Sequence, residues 1–344
     1  MKQDQKLEWV KKRKERREQL VPEILFQGIL KQDRVILSSA ITLLESSLPE
    51  DNLKANELIK LCLPHAGKSI RIGITGVPGV GKSTFIEAFG LFVLSLGKKI
   101  AVLAIDPSSE EGGGSILGDK TRMNELSAAE NAFIRPTPSG DSLGGVARKT
   151  RESILLCEAA GFDVIVIETV GVGQSETLVH SMVDFFLLLM LSGAGDELQG
   201  IKRGIMELAD LLVINKADGD NRSKANLAAK EYKNALHLFP PNTNDWIPKT
   251  MVCSAIEKEN IQEVWQEIES FRNHTTLNGW LDKKRQTQDL RWFKEALKES
   301  ILHHFLDRKG ANESVHDFER QIIDQSISPF DAAEQLLAQW LKDK

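Results

Sequence analysis

The chain reads as an α/β protein built on a doubly wound, mostly parallel sheet, with helical extensions at its N- and C-terminal ends. Three observations predict this. Short, nearly continuous apolar runs recur through the middle of the chain, as strands buried on both faces require. Helical patterns separate those runs, the alternation of a parallel sheet joined by crossovers. One run, Arg71 to Thr75, feeds straight into Gly76-Val77-Pro78-Gly79-Val80-Gly81-Lys82-Ser83-Thr84, and a helical pattern from Phe85 to Leu96 follows.

The elements fall into three zones. Residues 1–67 are helical in pattern, with apolar residues at helical spacing from Val35 to Leu48. The early basic cluster Lys11-Lys12-Arg13-Lys14-Glu15-Arg16-Arg17 is interleaved with Glu8 and Glu18, which suits a solvated helix face better than a nucleic-acid site. Residues 68–272 carry the expected strands: Arg71–Thr75, Lys99–Ile105, Ala132–Arg135, Asp163–Glu168, Phe185–Leu191, Leu211–Asn215 and Lys249–Val252. Residues 273–344 turn helical again. There Trp280, Leu290, Trp292, Phe293, Leu297 and Ile301 form an amphipathic stripe, and Ile322–Leu341 gives two short helical patterns broken at Ser328-Pro329.

With 344 residues, 41% of them hydrophobic, the chain has enough apolar material for one large core and smaller appendages. A formal net charge of −5 offers no global attraction to nucleic acid or to an anionic membrane. Cys62, Cys157 and Cys253 are far apart in apolar surroundings, without metal-ligand spacing, so buried reduced thiols in a cytoplasmic protein are expected. The first residues are charged rather than apolar, and the run Phe185–Leu191 is too short to span a bilayer.

The glycine turn between a strand and a helix is a P-loop in its proper setting. Its backbone N–H groups converge on phosphate oxygens at the positive end of a helix. Lys82 is placed to reach the terminal phosphates and the Ser83 hydroxyl to meet Mg²⁺. Base choice comes from Asn215-Lys216-Ala217-Asp218, which ends a buried strand. A carboxylate at Asp218 accepts from both N1–H and the exocyclic amine of guanine, a donor pair adenine lacks. Asn215 can tie this loop back to the P-loop, and the Lys216 stem can cover the base. By itself N-K-x-D is a weak match. With a P-loop upstream and Ser254-Ala255 after a further strand, whose backbone amide would meet the guanine carbonyl, it points to GTP. Ile256 completes that nucleotide-binding stretch.

Acidic groups follow the other strand ends, where the crevice of such a sheet lies. Asp106 ends one strand and opens the loop Gly112-Gly113-Gly114, which closes at Asp119; both aspartates are candidate Mg²⁺ ligands, and the lesser alternative is an ordinary surface loop with a helix cap at Asp119. Glu168 ends another strand near the expected metal, and Gly171 can offer its N–H to the γ-phosphate. Gln174 does not hold the offset expected of a water-positioning residue and reads as structural or partner-facing. Ser139 to Gly145 is a further glycine-rich turn that a helix cap explains.

Taken in order, GVPGVGKST, AIDPSS, GGGSILGDKTRM, IETVGVGQSE, SGAGDELQGIK and NKAD resemble the MeaB/ArgK family of GTPase chaperones associated with adenosylcobalamin-dependent methylmalonyl-CoA mutase. The resemblance spans nearly the whole chain. It implies a homodimer, slow intrinsic GTP hydrolysis and gating of cofactor delivery to an acyl-CoA mutase, with the cobalamin carried by the partner. It also implies that Ser192–Lys202 is a third switch, in which Asp196, Gln199 and Lys202 respond to docking and Lys202 supports charge developing on the phosphates. Two departures from the family pattern touch loop behaviour: the acidic pair Glu110-Glu111, and Glu257-Lys258-Glu259-Asn260 in place of a glycine-containing turn.

Two other functions compete. A kinase serving basic amino-acid transport would need a positioned base for an acceptor hydroxyl, and no H-R-D-like element is present. A nickel-inserting GTPase would need a metal-binding tract, which the seven histidines and three cysteines do not form.

Overall fold

The computed structural model describes residues 21–46, 48–105, 123–137, 143–169, 175–193, 203–240, 243–306 and 311–342. The basic cluster Lys11–Arg17 lies outside them. The chain divides into two compact units, Met1–Gln286 and Thr287–Lys344.

The first unit is organised by seven strands: β1 (Ile70–Gly76), β2 (Ile100–Ile105), β3 (Ala132–Thr137), β4 (Val164–Thr169), β5 (Phe185–Met190), β6 (Leu211–Ile214) and β7 (Lys249–Val252). They form one sheet in the order β3-β2-β4-β1-β5-β6-β7, and every adjacent pair is parallel. Each apolar run expected to be a strand is one; its ends move by one residue or none, except that β3 runs on two residues past Arg135 to Thr137. β1, β2, β4, β5 and β6 are buried along their whole length, because helices cover both faces of the sheet.

Strand alternation sorts the core into layers. Ile70, Ile72 and Ile74 of β1, with Leu187 and Leu189 of β5, meet Phe85 and Phe89 of the helix Lys82–Ser95 and Trp265 and Phe271 of the helix Ile261–Leu277. The intervening Leu188 and Met190 face the opposite way and pack with Leu212, Ile214 and Tyr232, the last from the helix Arg222–Leu236. All three cysteines are buried and free, and burial pushes the Cys62 and Cys253 thiols up to about 12.

Three helices precede the sheet: Pro22–Leu30, Arg34–Glu45 and Pro49–Cys62. Proline opens the first and third, where its missing N–H costs nothing. Asp33 caps the second, its side chain accepting from the backbone N–H groups of Val35 and Ile36. These helices pack on one another and against the helix Leu143–Ala159. Lys149 Nζ donates to the Ser46 carbonyl at 2.9 Å across that contact.

At the N-terminal edge of the sheet lies a buried charge network. Arg71 of β1 pairs side-on with Glu158 through two 3.0 Å bonds. Arg285, from the helix Trp280–Leu306, donates to Asp184 Oδ1 and Oδ2 at 2.9 and 2.6 Å and to the carbonyls of Gly67 and Ser69 at 2.7 Å each. Burial would raise the Asp184 carboxyl, but hydrogen bonding and charge from Arg285, with help from Arg71, hold it below its usual value. Asp210 accepts from the Phe186 N–H at 2.9 Å, and there burial wins: its carboxyl is pushed up to about 6 against the opposing charge of Lys284.

The second unit contains most of that long helix together with the helices Ala311–Ile323 and Pro329–Lys342. The expected break at Ser328-Pro329 is a helix start. Ser328 Oγ accepts from the Asp331 N–H at 3.1 Å and donates to Asp331 Oδ2 at 2.8 Å, an N-cap with proline in the first turn. Phe305 stacks on Trp340, with ring centroids 5.5 Å apart. Leu290, Phe293, Leu297 and Ile301 of the stripe are all exposed. Among the described residues no helix is long and apolar enough to cross a membrane.

Candidate nucleotide site

Because all seven strands are parallel, their C-terminal ends share one edge of the sheet. The loops that leave β1, β5, β6 and β7 therefore emerge side by side. β1 is central, so the glycine turn that follows it stands at the middle of that edge.

The turn is built by backbone geometry that only some of its residues tolerate. Gly79 and Gly81 have φ of 76° and 89°, in the left-handed region. Gly76 needs its glycine for a different reason: a β-carbon there would sit 2.4 Å from the Leu189 carbonyl oxygen of β5. Val80 is buried as the anchor of the turn, whereas Pro78 and Gly79 are exposed and Val77 is half-buried. Lys82 starts the helix and curls back, its Nζ donating to the Gly76 carbonyl at 2.9 Å. Burial pulls the Lys82 amine below its usual value, while the charges of Glu168 and Glu176 push it upward. Ser83 is half-buried beside it, and Thr84 is exposed.

Glu168 is the penultimate residue of β4, in register with Ile74 of β1 and Ala104 of β2, and is buried. That register puts residue 168 between the strand that feeds the glycine turn and the strand that leads to residue 106. Thr75 and Thr169 hydroxyls share a 2.8 Å hydrogen bond across the same β1–β4 pair. Glu176, on the short helix Ser175–His180, is also buried. Sequence reasoning assigned it no role. Its proximity to Lys82 depends on the helix packing against β1 and β4, which no spacing in the sequence reveals.

The second half of the site comes from β6 and β7. Asn215 is buried; its Nδ2 donates to the Val80 carbonyl at 2.8 Å and its Oδ1 accepts from the Ala255 N–H at 3.3 Å. One side chain thus joins three loops. Lys216 takes φ of 58°, and its stem passes near Gly81: a β-carbon on that glycine would lie 3.6 Å from Lys216 Cε. Asp218 Oδ2 accepts from Ser254 Oγ at 2.9 Å, which aims the carboxylate. Ser254 and Ala255 are buried, and Ile256 is exposed. The turn Glu257–Asn260 does without glycine by placing Lys258 and Asn260 in the left-handed region, with Asn260 Nδ2 donating to the Val252 carbonyl at 2.9 Å.

Gly171, Gln174, Asp196, Gln199 and Lys202 lie outside the described residues, as do Asp106, Asp119, Glu110-Glu111, the Gly112–Gly114 run and the Ser139-Gly140 turn. Of the candidate metal ligands, Ser83 and Glu168 are described; both offer hard oxygen donors of the kind Mg²⁺ takes.

A family model described as methylmalonyl Co-A mutase-associated GTPase MeaB matches residues 37–310. The chain belongs to the MeaB family. It is 47% identical over 308 residues to the GTPase ArgK of Escherichia coli, covering 88% of this chain and 92% of that protein. It is 45% identical over 331 residues to the mitochondrial methylmalonic aciduria type A homolog of Mus musculus, covering 93% of this chain and 80% of that protein. A crystal structure described as a LAO/AO transport system kinase superposes with a TM-score of 0.73 at 38% identity, covering 93% of this chain and 97% of that one. This MeaB-family protein is a P-loop GTPase that hydrolyses GTP to GDP and phosphate.

Proposed function

We propose that this GTPase is a molecular switch that binds an adenosylcobalamin-dependent acyl-CoA mutase, such as methylmalonyl-CoA mutase, and gates the loading or protection of its cofactor. The observation that carries the switch reading is the Asn215 bridge, which ties the guanine-reading loop to the phosphate loop so that base and phosphates are sensed by one rigid unit. The choice of partner is supported by the family's description and by the relative named for methylmalonic aciduria.

In this reading residues 76–84 cradle the phosphates, and Lys82 neutralises their charge. Asp218 reads the base while Asn215, Lys216 and Ser254–Ile256 frame it. Ser83 and Glu168, together with Asp106 and Asp119, would hold Mg²⁺, an ion that neutralises phosphate charge when bound. Gly171 would meet the γ-phosphate. Asp196, Gln199 and Lys202 would respond to the partner. Residues 1–67 form a helical extension, 68–272 the GTPase domain and 273–344 a dimerisation arm. The exposed positions Leu290, Phe293, Leu297 and Ile301, spaced by three and four residues on one helix, support that last assignment.

The test is phosphate release with and without an adenosylcobalamin-dependent acyl-CoA mutase, joined to capture of the mutase with and without a non-hydrolysable GTP analogue. Stimulated hydrolysis and nucleotide-dependent capture are expected; neither occurring with any such mutase overturns the reading. The likeness to the LAO/AO transport system kinase structure supports a second reading, a kinase linked to basic amino-acid transport. Transfer of the γ-phosphate to an added protein, rather than its release as inorganic phosphate, would establish that alternative.

A further inference from the structure

Ser192 stands just beyond β5, and Asn221 ends the 3-10 turn Gly219–Asn221 that follows the base-reading loop. Ser192 Oγ donates to Asn221 Oδ1 at 2.6 Å. Asn221 Nδ2 donates in turn to the Lys216 carbonyl at 2.6 Å, and the Asn221 backbone N–H donates to the Asp218 carbonyl at 3.0 Å. One residue therefore grips the main chain on both sides of Ala217. The grip falls where it is needed: Lys216 has φ of 58° and Gly219 has φ of 48°, so the backbone carrying Asp218 is bracketed by two left-handed residues.

With its oxygen accepting from a hydroxyl and its nitrogen donating to a carbonyl, the Asn221 amide has one orientation that satisfies both ends. On the other side Ser254 Oγ fixes the Asp218 carboxylate itself. Asn221 sets the backbone from which the carboxylate is aimed, and Ser192 sets Asn221.

We propose that Asn221 is a positioning residue for guanine specificity, and that its bond to Ser192 couples the base site to the C-terminal end of β5. The proposal rests on Asp218 as the reader of the base, and on no property of the partner. Coupling of this kind is reciprocal: if engagement of Ser192 tightens guanine binding, a bound guanine favours the engaged Ser192 to the same extent.

The experiment measures affinity of the full chain for GDP and for inosine diphosphate, which lacks the exocyclic amine that Asp218 accepts. Asn221→Asp is the informative variant, because it keeps the oxygen that accepts from Ser192 and loses the donor to the Lys216 carbonyl. Its GDP affinity should fall by about 5- to 20-fold, more than its affinity for inosine diphosphate, so the preference between the two narrows. Ser192→Ala should weaken GDP by a smaller factor, Ser192→Thr should restore it, and Ser192→Ala added to Asn221→Ala should cost nothing further. An unchanged preference in Asn221→Asp, including a proportional loss of both ligands, overturns the positioning role. Additive losses in the Ser192–Asn221 cycle overturn the coupling. Asp218→Asn is the control: if it too leaves the preference unchanged, the base-reader assignment has failed rather than this one.

Discussion

Asn215 Nδ2 lies 2.8 Å from the Val80 carbonyl oxygen, a buried hydrogen bond between residues 135 apart in the chain. The same side chain accepts from the Ala255 N–H, so the loops after β1, β6 and β7 meet on one amide. Asn215→Ala would leave a buried carbonyl and a buried N–H without a partner. The expected cost is about 2–4 kcal/mol of unfolding free energy, along with weaker GDP binding. Denaturant unfolding checks it, and an unchanged midpoint would refute the bridge.

Lys82→Ala should spare the fold, because the one protein bond it removes, to the Gly76 carbonyl, belongs to a flexible side chain at a helix start. Nucleotide affinity or turnover should drop by about 1.5–3 kcal/mol, the loss of a charge-assisted contact to phosphate. Titration with GTP and GDP measures it; parental affinity together with parental turnover would remove Lys82 from the site.

Asp218→Asn should exchange the preferred base. Xanthine presents a carbonyl where guanine presents its amine, so an amide at this position favours XTP. The amide oxygen can still accept from Ser254 Oγ, so the loop should keep its shape. Competition between GTP and XTP reads the outcome, and a variant that prefers GTP as strongly as the parent rejects the assignment.

Asp210 gives a pH dependence of defined sign. Its folded-state pKa is raised to about 6 from an unfolded value near 3.8. Between those values the folded chain holds a proton that the unfolded chain has released. This group's contribution to stability therefore falls as pH rises through that window and is level above it. Asp210→Asn keeps an acceptor for the Phe186 N–H and does not titrate. The stability difference between variant and parent should move in the variant's favour from pH 4 to about pH 6 and then stay constant. A difference that is flat across the window would contradict the raised value.

Truncation tests assembly. Arg285 must be retained, since it satisfies Asp184 and two carbonyls at the base of the sheet. A chain ending at Gln286 should bind nucleotide as a monomer, while the full chain sediments as a dimer at micromolar concentration. A monomeric full-length protein would refute the dimerisation arm.

The strands, the glycine turn and the N-K-x-D loop were legible from the sequence alone because their causes are local. An apolar run buried on both faces declares itself without reference to its neighbours, and a turn with φ above zero favours glycine, as at Gly79 and Gly81, wherever the chain later travels. Local signals also showed which loops carry acid, amide and hydroxyl groups. Only the tertiary structure decided the strand order, and with it which of those groups meet. β1 lies between β4 and β5 although β2 follows it in the chain, so Glu168 comes alongside the strand that feeds the phosphate loop. Glu176 near Lys82, Ser192 on Asn221 and Arg285 on Asp184 are consequences of that packing. Hydrogen-bond partners far apart in sequence are chosen by how buried faces fit together, and periodicity carries no record of that choice.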